Sequence, residues 1–284
     1  MKKAVDSNRL KLNDLVKNAI NSKVCSIALH KLLVAWEKQD KKEEILAIKI
    51  RETLKQELLS NSHPLVLDMY SLAAAFFETS VWIIGGDGWA YDIGFGGLDH
   101  VVASGEDVNV LILDTEVYSN TGGQASKSTP MGAIAKFAAA GKETHKKDLG
   151  AILATYPNTY IAKVSLGANM QATIKAMEEA YNHKGPSVII AYSPCINHGG
   201  DMSRTPETQR LAVQSGYFPT YRNNRGNLTI DPPMMTSEYS EYTKKESRFF
   251  TLKKVSEGRY NELTEKASNF AKERFINLQN LTKK

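Results

Sequence analysis

The sequence predicts an α/β fold: a doubly wound, mostly parallel sheet with helical extensions at its N- and C-terminal ends. Two short apolar runs, 81–84 and 108–113, are joined by about 20 residues, the length of a helical crossover between parallel strands. Further apolar runs at 149–154, 160–164 and 187–192 alternate with helix-spaced stretches, the rhythm of such a sheet. Residues 1–62 and about 237–284 instead carry charged and apolar residues at helical spacing.

In the N-terminal region Leu12, Leu15, Val16, Ala19 and Ile20 mark one helix face, and Leu46, Ile50, Leu54 and Leu58 another. Cys25 falls in an apolar stretch read as helix, so it is expected to be a buried structural thiol. The charged run 37–44 reads as a solvated turn between helices. His63-Pro64 punctuates the chain before a helical segment at 65–79.

After the first strand a helix is expected from Trp89. Its Gly94, Gly96 and Gly97 are poor helix formers and imply close approach by a cofactor, another chain or the sheet. Pro130 opens a predicted helix at 131–140. The runs 149–154, 160–164 and 187–192 are predicted strands, and Met170, Ile174, Met177 and Tyr181 a core-facing stripe. A helix follows at 204–216, an edge segment at 217–222, a loop at 223–233 and a charged helical tail. The expected domains are a helical extension (1–62), an α/β domain (63–222), and a loop and tail packed on it (223–284).

Composition narrows the function. A chain of 284 residues, 42% hydrophobic and 24% charged, can bury a substantial core. No run approaches the ~18 apolar residues of a membrane helix. The start, MKKAVDSNRLKLND, lacks the apolar core of a secretory signal, and Cys25 and Cys195 alone make no disulfide framework, so a cytoplasmic protein is expected. The net charge of +5 is compatible with an acidic protein partner or with lysines scattered over helices. No basic cluster interleaved with aromatics argues for nucleic acid.

The chemistry gathers at two strand ends, where open α/β sheets bind ligands. Gly85-Gly86-Asp87-Gly88 ends the first run, and glycines let backbone amides approach an anion. The carboxylate of Asp87 beside a phosphate needs a cation between them, so it is a candidate Mg²⁺ ligand. The second loop, Thr115 to Asn120, adds a hydroxyl, carbonyls and an amide, all hard oxygen donors.

Gly-Asp-Gly followed by Asn120 after 31 residues resembles the thiamine-diphosphate motif. The longer string from Gly85 to Pro130, GGDGWAYDIGFGGLDHVVASGEDVNVLILDTEVYSNTGGQASKSTP, resembles the pyruvate:ferredoxin (flavodoxin) oxidoreductases. The resemblance implies a thiamine-diphosphate-binding fold. It implies that Gly86, Asp87, Gly88 and Trp89 contact the diphosphate, and that Thr115, Glu116, Val117, Tyr118, Ser119 and Asn120 form the second cofactor loop. Asp87, the Thr115 side chain and the Val117 carbonyl would hold Mg²⁺, and Asn120 would face the reacting centre. Cys195, in Ser193-Pro194-Cys195-Ile196-Asn197-His198, stands where the family has one of four thiolate ligands of a [4Fe–4S] cluster. His198 itself has no partner spacing and carries no expectation as a ligand.

The implied activity is oxidative decarboxylation of pyruvate to acetyl-CoA and CO₂, with coenzyme A as second substrate and electrons passing to ferredoxin or flavodoxin. The other three cluster cysteines and the glutamate that activates the cofactor belong, in the family, to parts with no counterpart in this sequence; Glu116 is not that glutamate. The implied partners are those remaining domains and a homodimer of the full enzyme. Two alternatives stay open: another thiamine-diphosphate-dependent 2-oxoacid enzyme, and a non-catalytic remnant or binding module.

Overall fold

In the computed structural model, which describes residues 1–39 and 43–282, the chain forms two compact units, Met1–Val81 and Trp82–Lys284. The first is helical. Helices α1 (Lys2–Ser22), α2 (Ile27–Glu37), α3 (Glu44–Glu57) and α4 (Pro64–Ser71), with a short 3-10 turn at Ala73–Phe76, enclose Leu12, Val16, Leu33, Trp36, Ile50 and Phe76. Trp36 donates its indole N–H to the Phe76 carbonyl at 3.2 Å and meets the Phe76 ring edge-on.

This unit runs past the expected boundary at residue 62, because α4 buries Val66 and Met69 in the same core. Cys25 lies in the bend between α1 and α2 rather than within a helix. Lys23 adopts a left-handed conformation there, and the Ser26 side chain caps α2. The thiol is half-buried against the helical core. Of the charged run 37–44, residues 40–42 lie outside the described residues.

The second unit is built on a sheet. Strands β1 (Trp82–Gly86), β2 (Asn109–Asp114), β3 (Tyr160–Val164), β4 (Ser187–Tyr192), β5 (Tyr221–Asn224) and β6 (Asn227–Ile230) lie in the order β1-β2-β4-β3-β5-β6. The first four are mutually parallel, while β5 pairs antiparallel with both β3 and β6. Val188 and Ile190 of β4 point into one core with α5 (Phe95–Ala103), α6 (Leu149–Leu153), α8 (Thr205–Gln214), α9 (Tyr239–Thr243), α10 (Ser247–Val255) and α11 (Glu257–Leu281). Ile189 points the other way and meets Ala176 and Ala180 of α7 (Met170–Asn182). Strands buried on both faces read as unbroken apolar runs, which is why these were legible. The register pairs Gly86 with Leu113 and Asp114 with Tyr192, so the C-terminal ends of β1, β2 and β4 lie side by side.

Four expectations are corrected. The run 149–154 is a helix, not a strand: Asp148 accepts from the Ala151 amide at 3.1 Å, and Leu149 and Leu153 are buried one turn apart. Residues 131–140 are not helical, since Gly132 (φ 83°) and Phe137 (φ 68°) break any helix. Their backbone pairs with distant segments, Lys136 N–H with Gly123 O at 2.9 Å and Ile134 N–H with Arg248 O at 2.8 Å, which overrides alanine propensity. The predicted loop 223–233 contains the β5–β6 hairpin, turned at Arg225 (φ 52°) and Gly226 (φ 90°). Met170, Ile174 and Tyr181 are exposed, because α7 packs on the sheet through its small residues Ala176 and Ala180.

Candidate functional site

Asp87 is the first residue after β1, and its carboxylate is buried. A wide π-turn follows at Gly88–Ile93, closed by Gly94 N–H to Trp89 O at 2.8 Å, where the sequence predicted an ordinary α-helical start. The glycines around it have separate uses. A Cβ on Gly94 would lie 2.1 Å from the Trp89 indole, and one on Gly88 2.4 Å from the Tyr118 ring. Only Gly86 of the Gly-Asp-Gly triplet and its neighbour Gly85 faces open space, with nothing within 4 Å of an added Cβ.

The second loop meets Asp87 through Thr115. The Thr115 amide and hydroxyl donate to Asp87 Oδ1 at 3.1 and 2.7 Å, and the same hydroxyl lies 3.1 Å from the Val117 carbonyl. Ser126 Oγ donates to Asp87 Oδ2 at 3.1 Å. Burial, reinforced by the charge of Asp114, pushes the Asp87 carboxyl up to about 6 despite these hydrogen bonds. The result is a buried carboxylate beside a hydroxyl and a carbonyl. That donor set suits Mg²⁺, which takes few carboxylates plus neutral oxygens and water. Among the described residues no three His, Cys, Asp or Glu side chains gather into a metal cluster, so a cation here would rely on these mixed oxygens.

The Glu116 side chain turns into the protein interior. Its φ of 60° swings the side chain inward, where it pairs with Lys146 at 2.8 Å and Arg248 at 2.7 Å and accepts from the Tyr217 hydroxyl. Burial alone would raise the Glu116 carboxyl, but Lys146 and Arg248 hold it well below the usual range. Lys146 also pairs with Asp114 at 2.6 Å; burial opposes its charge, and the two carboxylates outweigh burial to raise it. Any contact from Glu116 to a cofactor would therefore come from its backbone. The same inward anchor leaves Thr115 and Val117 on the Asp87 side. Tyr118 is tied back by Tyr118 N–H to Gln124 O at 3.0 Å, while Ser119 and Asn120 are exposed at the loop tip. Trp89, on the first loop, is half-buried with its ring against Gly85 and Gly94.

A cleft of about 800 Å³ adjoins this loop, lined by Tyr118 and Ser126 and by Lys127, Lys142, His145 and Lys147. Burial, then the neighbouring Lys146 charge, lowers the Lys142 ammonium to about 8.

Cys195 follows β4 and is half-buried at the start of a tight turn, Ile196–His198. It is the one thiol in this unit, and a [4Fe–4S] cluster takes four, so the residues here do not make a cluster site by themselves. His198, to which the sequence reading gave no role, is buried with Nε2 2.7 Å from the Thr115 carbonyl. Glu246 and Arg248 lie in the tail read only as charged and helical, yet Arg248 Nε pairs with Glu246 at 2.7 Å beside that imidazole. Lys146 and Ser126 carried no local signal, because their partners are remote in sequence.

Residues 70–191 match the family model described as "Thiamine pyrophosphate enzyme, C-terminal TPP binding domain". The chain is 48% identical over 217 residues to the pyruvate:ferredoxin oxidoreductase of Moorella thermoacetica, covering 74% of this chain and 18% of that protein. It is 48% identical over 241 residues to the pyruvate-flavodoxin oxidoreductase of Trichormus variabilis, covering 82% of this chain and 20% of the relative. It is also 42% identical over 257 residues to the mitochondrial pyruvate dehydrogenase [NADP(+)] of Euglena gracilis, covering 87% and 14% respectively. The chain thus spans a fifth or less of the length of these relatives. Fold, loop geometry and similarity point the same way: residues 70–191 match a thiamine-pyrophosphate-binding domain, and the chain is similar to one part of the pyruvate:ferredoxin (flavodoxin) oxidoreductases.

Proposed function

We propose that this chain supplies the thiamine-diphosphate- and Mg²⁺-holding part of an enzyme that oxidatively decarboxylates pyruvate to acetyl-CoA and CO₂ and passes electrons to ferredoxin or flavodoxin. The observation that carries the reading is the oxygen cluster of Asp87, Thr115 and Val117 at adjacent parallel strand ends. Asp87 Oδ1, Thr115 Oγ1 and Val117 O would hold Mg²⁺. Gly86, Gly88, Trp89, Tyr118 and Ser119 would flank the diphosphate, and the exposed Asn120 would orient the substrate. When bound, thiamine diphosphate supplies the electron sink for breaking the bond between the keto carbon and the carboxylate. The protein's part is to fix that group, and the lysine-lined cleft gives its anionic end a favourable potential.

The remaining parts of the enzyme, in a homodimeric cytoplasmic assembly, would supply the activating glutamate and three more cysteines. Cys195 would then be one of four thiolates of a [4Fe–4S] cluster. A second reading concerns the acceptor: similarity to a pyruvate dehydrogenase named for NADP⁺ favours a domain that also serves a different electron outlet. Among the described residues no helix is long and apolar enough to cross a membrane. Equilibrium titration of thiamine diphosphate with Mg²⁺ into the assembled enzyme tests the site. Asp87→Ala should abolish Mg²⁺-dependent binding, and unchanged affinity would remove the assignment.

A further inference from the structure

We propose that His198 is a positioning residue that couples the Asp87–Thr115–Val117 cluster to the turn carrying Cys195. Strands β2 and β4 are neighbours, and their last shared ladder bond is Ser193 N–H to Asp114 O at 3.0 Å. Beyond it the two loops diverge, and the imidazole of His198 spans them. A carbonyl only accepts, so the Nε2 that lies 2.7 Å from Thr115 O must carry the proton. The Cys195 amide donates to Nδ1 at 3.4 Å, while the His198 amide returns to Cys195 O at 3.0 Å. One ring thus reads two backbone groups, one at each strand end.

The ring is also held against rotation. Tyr192 stacks on it at an interplanar angle of 12°. Glu246 Oε1 lies 3.4 Å from the acceptor Nδ1 and makes no hydrogen bond with it; its carboxylate is engaged instead by Arg248 Nε at 2.7 Å and the Tyr242 hydroxyl at 2.9 Å. On the other side Thr115 is committed in both directions, its carbonyl to His198 and its amide and hydroxyl to Asp87. A movement of the Thr115 peptide therefore reaches Cys195 through a single rigid ring. The hydrogen bonds carry this coupling by themselves; only its use in bringing a metal loop and a cluster thiolate into register rests on the function proposed above.

The test uses the purified full chain without cofactor, in a Cys25→Ser background, and reads the alkylation rate of Cys195 with iodoacetamide. Loss of a buried hydrogen-bonding partner in His198→Phe should raise that rate about tenfold. His198→Gln, whose amide can donate to Thr115 O and accept from Cys195 N–H, should stay within about twofold of the parent. Thr115→Val, which removes the hydroxyl bonded to Asp87, should change the rate severalfold with His198 present and not in the phenylalanine background. Equal rates across the His198 variants, or a Thr115→Val effect undiminished by His198→Phe, would overturn the coupling. Should the phenylalanine variant not fold, nitrogen-15 NMR of the parent decides. A slowly exchanging Nε2–H with an unprotonated Nδ1 supports the proposal, and an Nδ1–H tautomer with free Nε2 overturns it. Since none of these readings needs cofactor, a failure here is distinguishable from a failure of the proposed function.

Discussion

The Thr115 hydroxyl donates to the buried Asp87 carboxylate at 2.7 Å, joining the ends of two parallel strands through groups 28 residues apart. Without a cation that carboxylate is poorly placed, since burial and Asp114 both disfavour its charge. A cation beside Asp87, as proposed above, would offset that cost.

The first prediction follows from that cost. The folded value of about 6 lies above the ordinary 3.8, so the stabilisation from Asp87 is full below about pH 4 and is lost as pH rises through about 6. At pH 7 the ionised group should cost up to ~3 kcal/mol in the metal-free chain. Asp87→Asn should therefore raise the unfolding midpoint at pH 7 but not at pH 4, while weakening Mg²⁺-dependent binding. In the parent, protons should compete with Mg²⁺ and lower its affinity about tenfold between pH 7 and pH 5. Chemical denaturation and titration at the two pH values check both; a variant less stable at pH 7 than the parent contradicts the argument.

Two glycines should part company. Gly86→Ala meets open space and should leave stability within ~0.5 kcal/mol while weakening cofactor binding. Gly88→Ala drives a methyl into the Tyr118 ring and should cost ~1–3 kcal/mol. Denaturant midpoints of the two variants read the difference, and equal costs would refute it.

Glu116→Gln should destabilise by ~3–5 kcal/mol, because it leaves Lys146 and Arg248 short of a buried counter-charge. A loss below ~1 kcal/mol, measured by urea unfolding, would mean that the side chain does not anchor the loop.

How much of this was legible in the sequence depended on the range of the forces. Strands 160–164 and 187–192 could be read to the residue, since burial on both faces writes itself as a continuous apolar run. The run 149–154 looked the same but is helical, because short apolar runs do not reveal their period and the Asp148 cap decides. At 131–140 Pro130 promised a helix that pairing with Gly123 and Arg248 overruled. Asp87 and Thr115 were legible as a spaced motif. The inward turn of Glu116 was not, since its partners Lys146, Tyr217 and Arg248 are brought there only by folding. His198 was missed for the same reason: its partner is a backbone carbonyl, which leaves no mark in sequence.

The two cysteines should behave differently in the assembled enzyme. Cys195→Ser should lower iron content or shift the paramagnetic resonance of one reduced cluster, whereas Cys25→Ser, in the helical unit, should do neither. Indistinguishable spectra and iron content for the two variants would take Cys195 off the ligand set.

In the function proposed above, this chain holds the cofactor for chemistry that it cannot complete alone. Pyruvate- and coenzyme-A-dependent reduction of a viologen dye should be absent with the purified chain and appear when the remaining polypeptide of the enzyme is added. It should then fall by at least ~10²-fold with Asp87→Ala. Robust dye reduction by the chain alone, or a complemented rate indifferent to Asp87, would contradict the account.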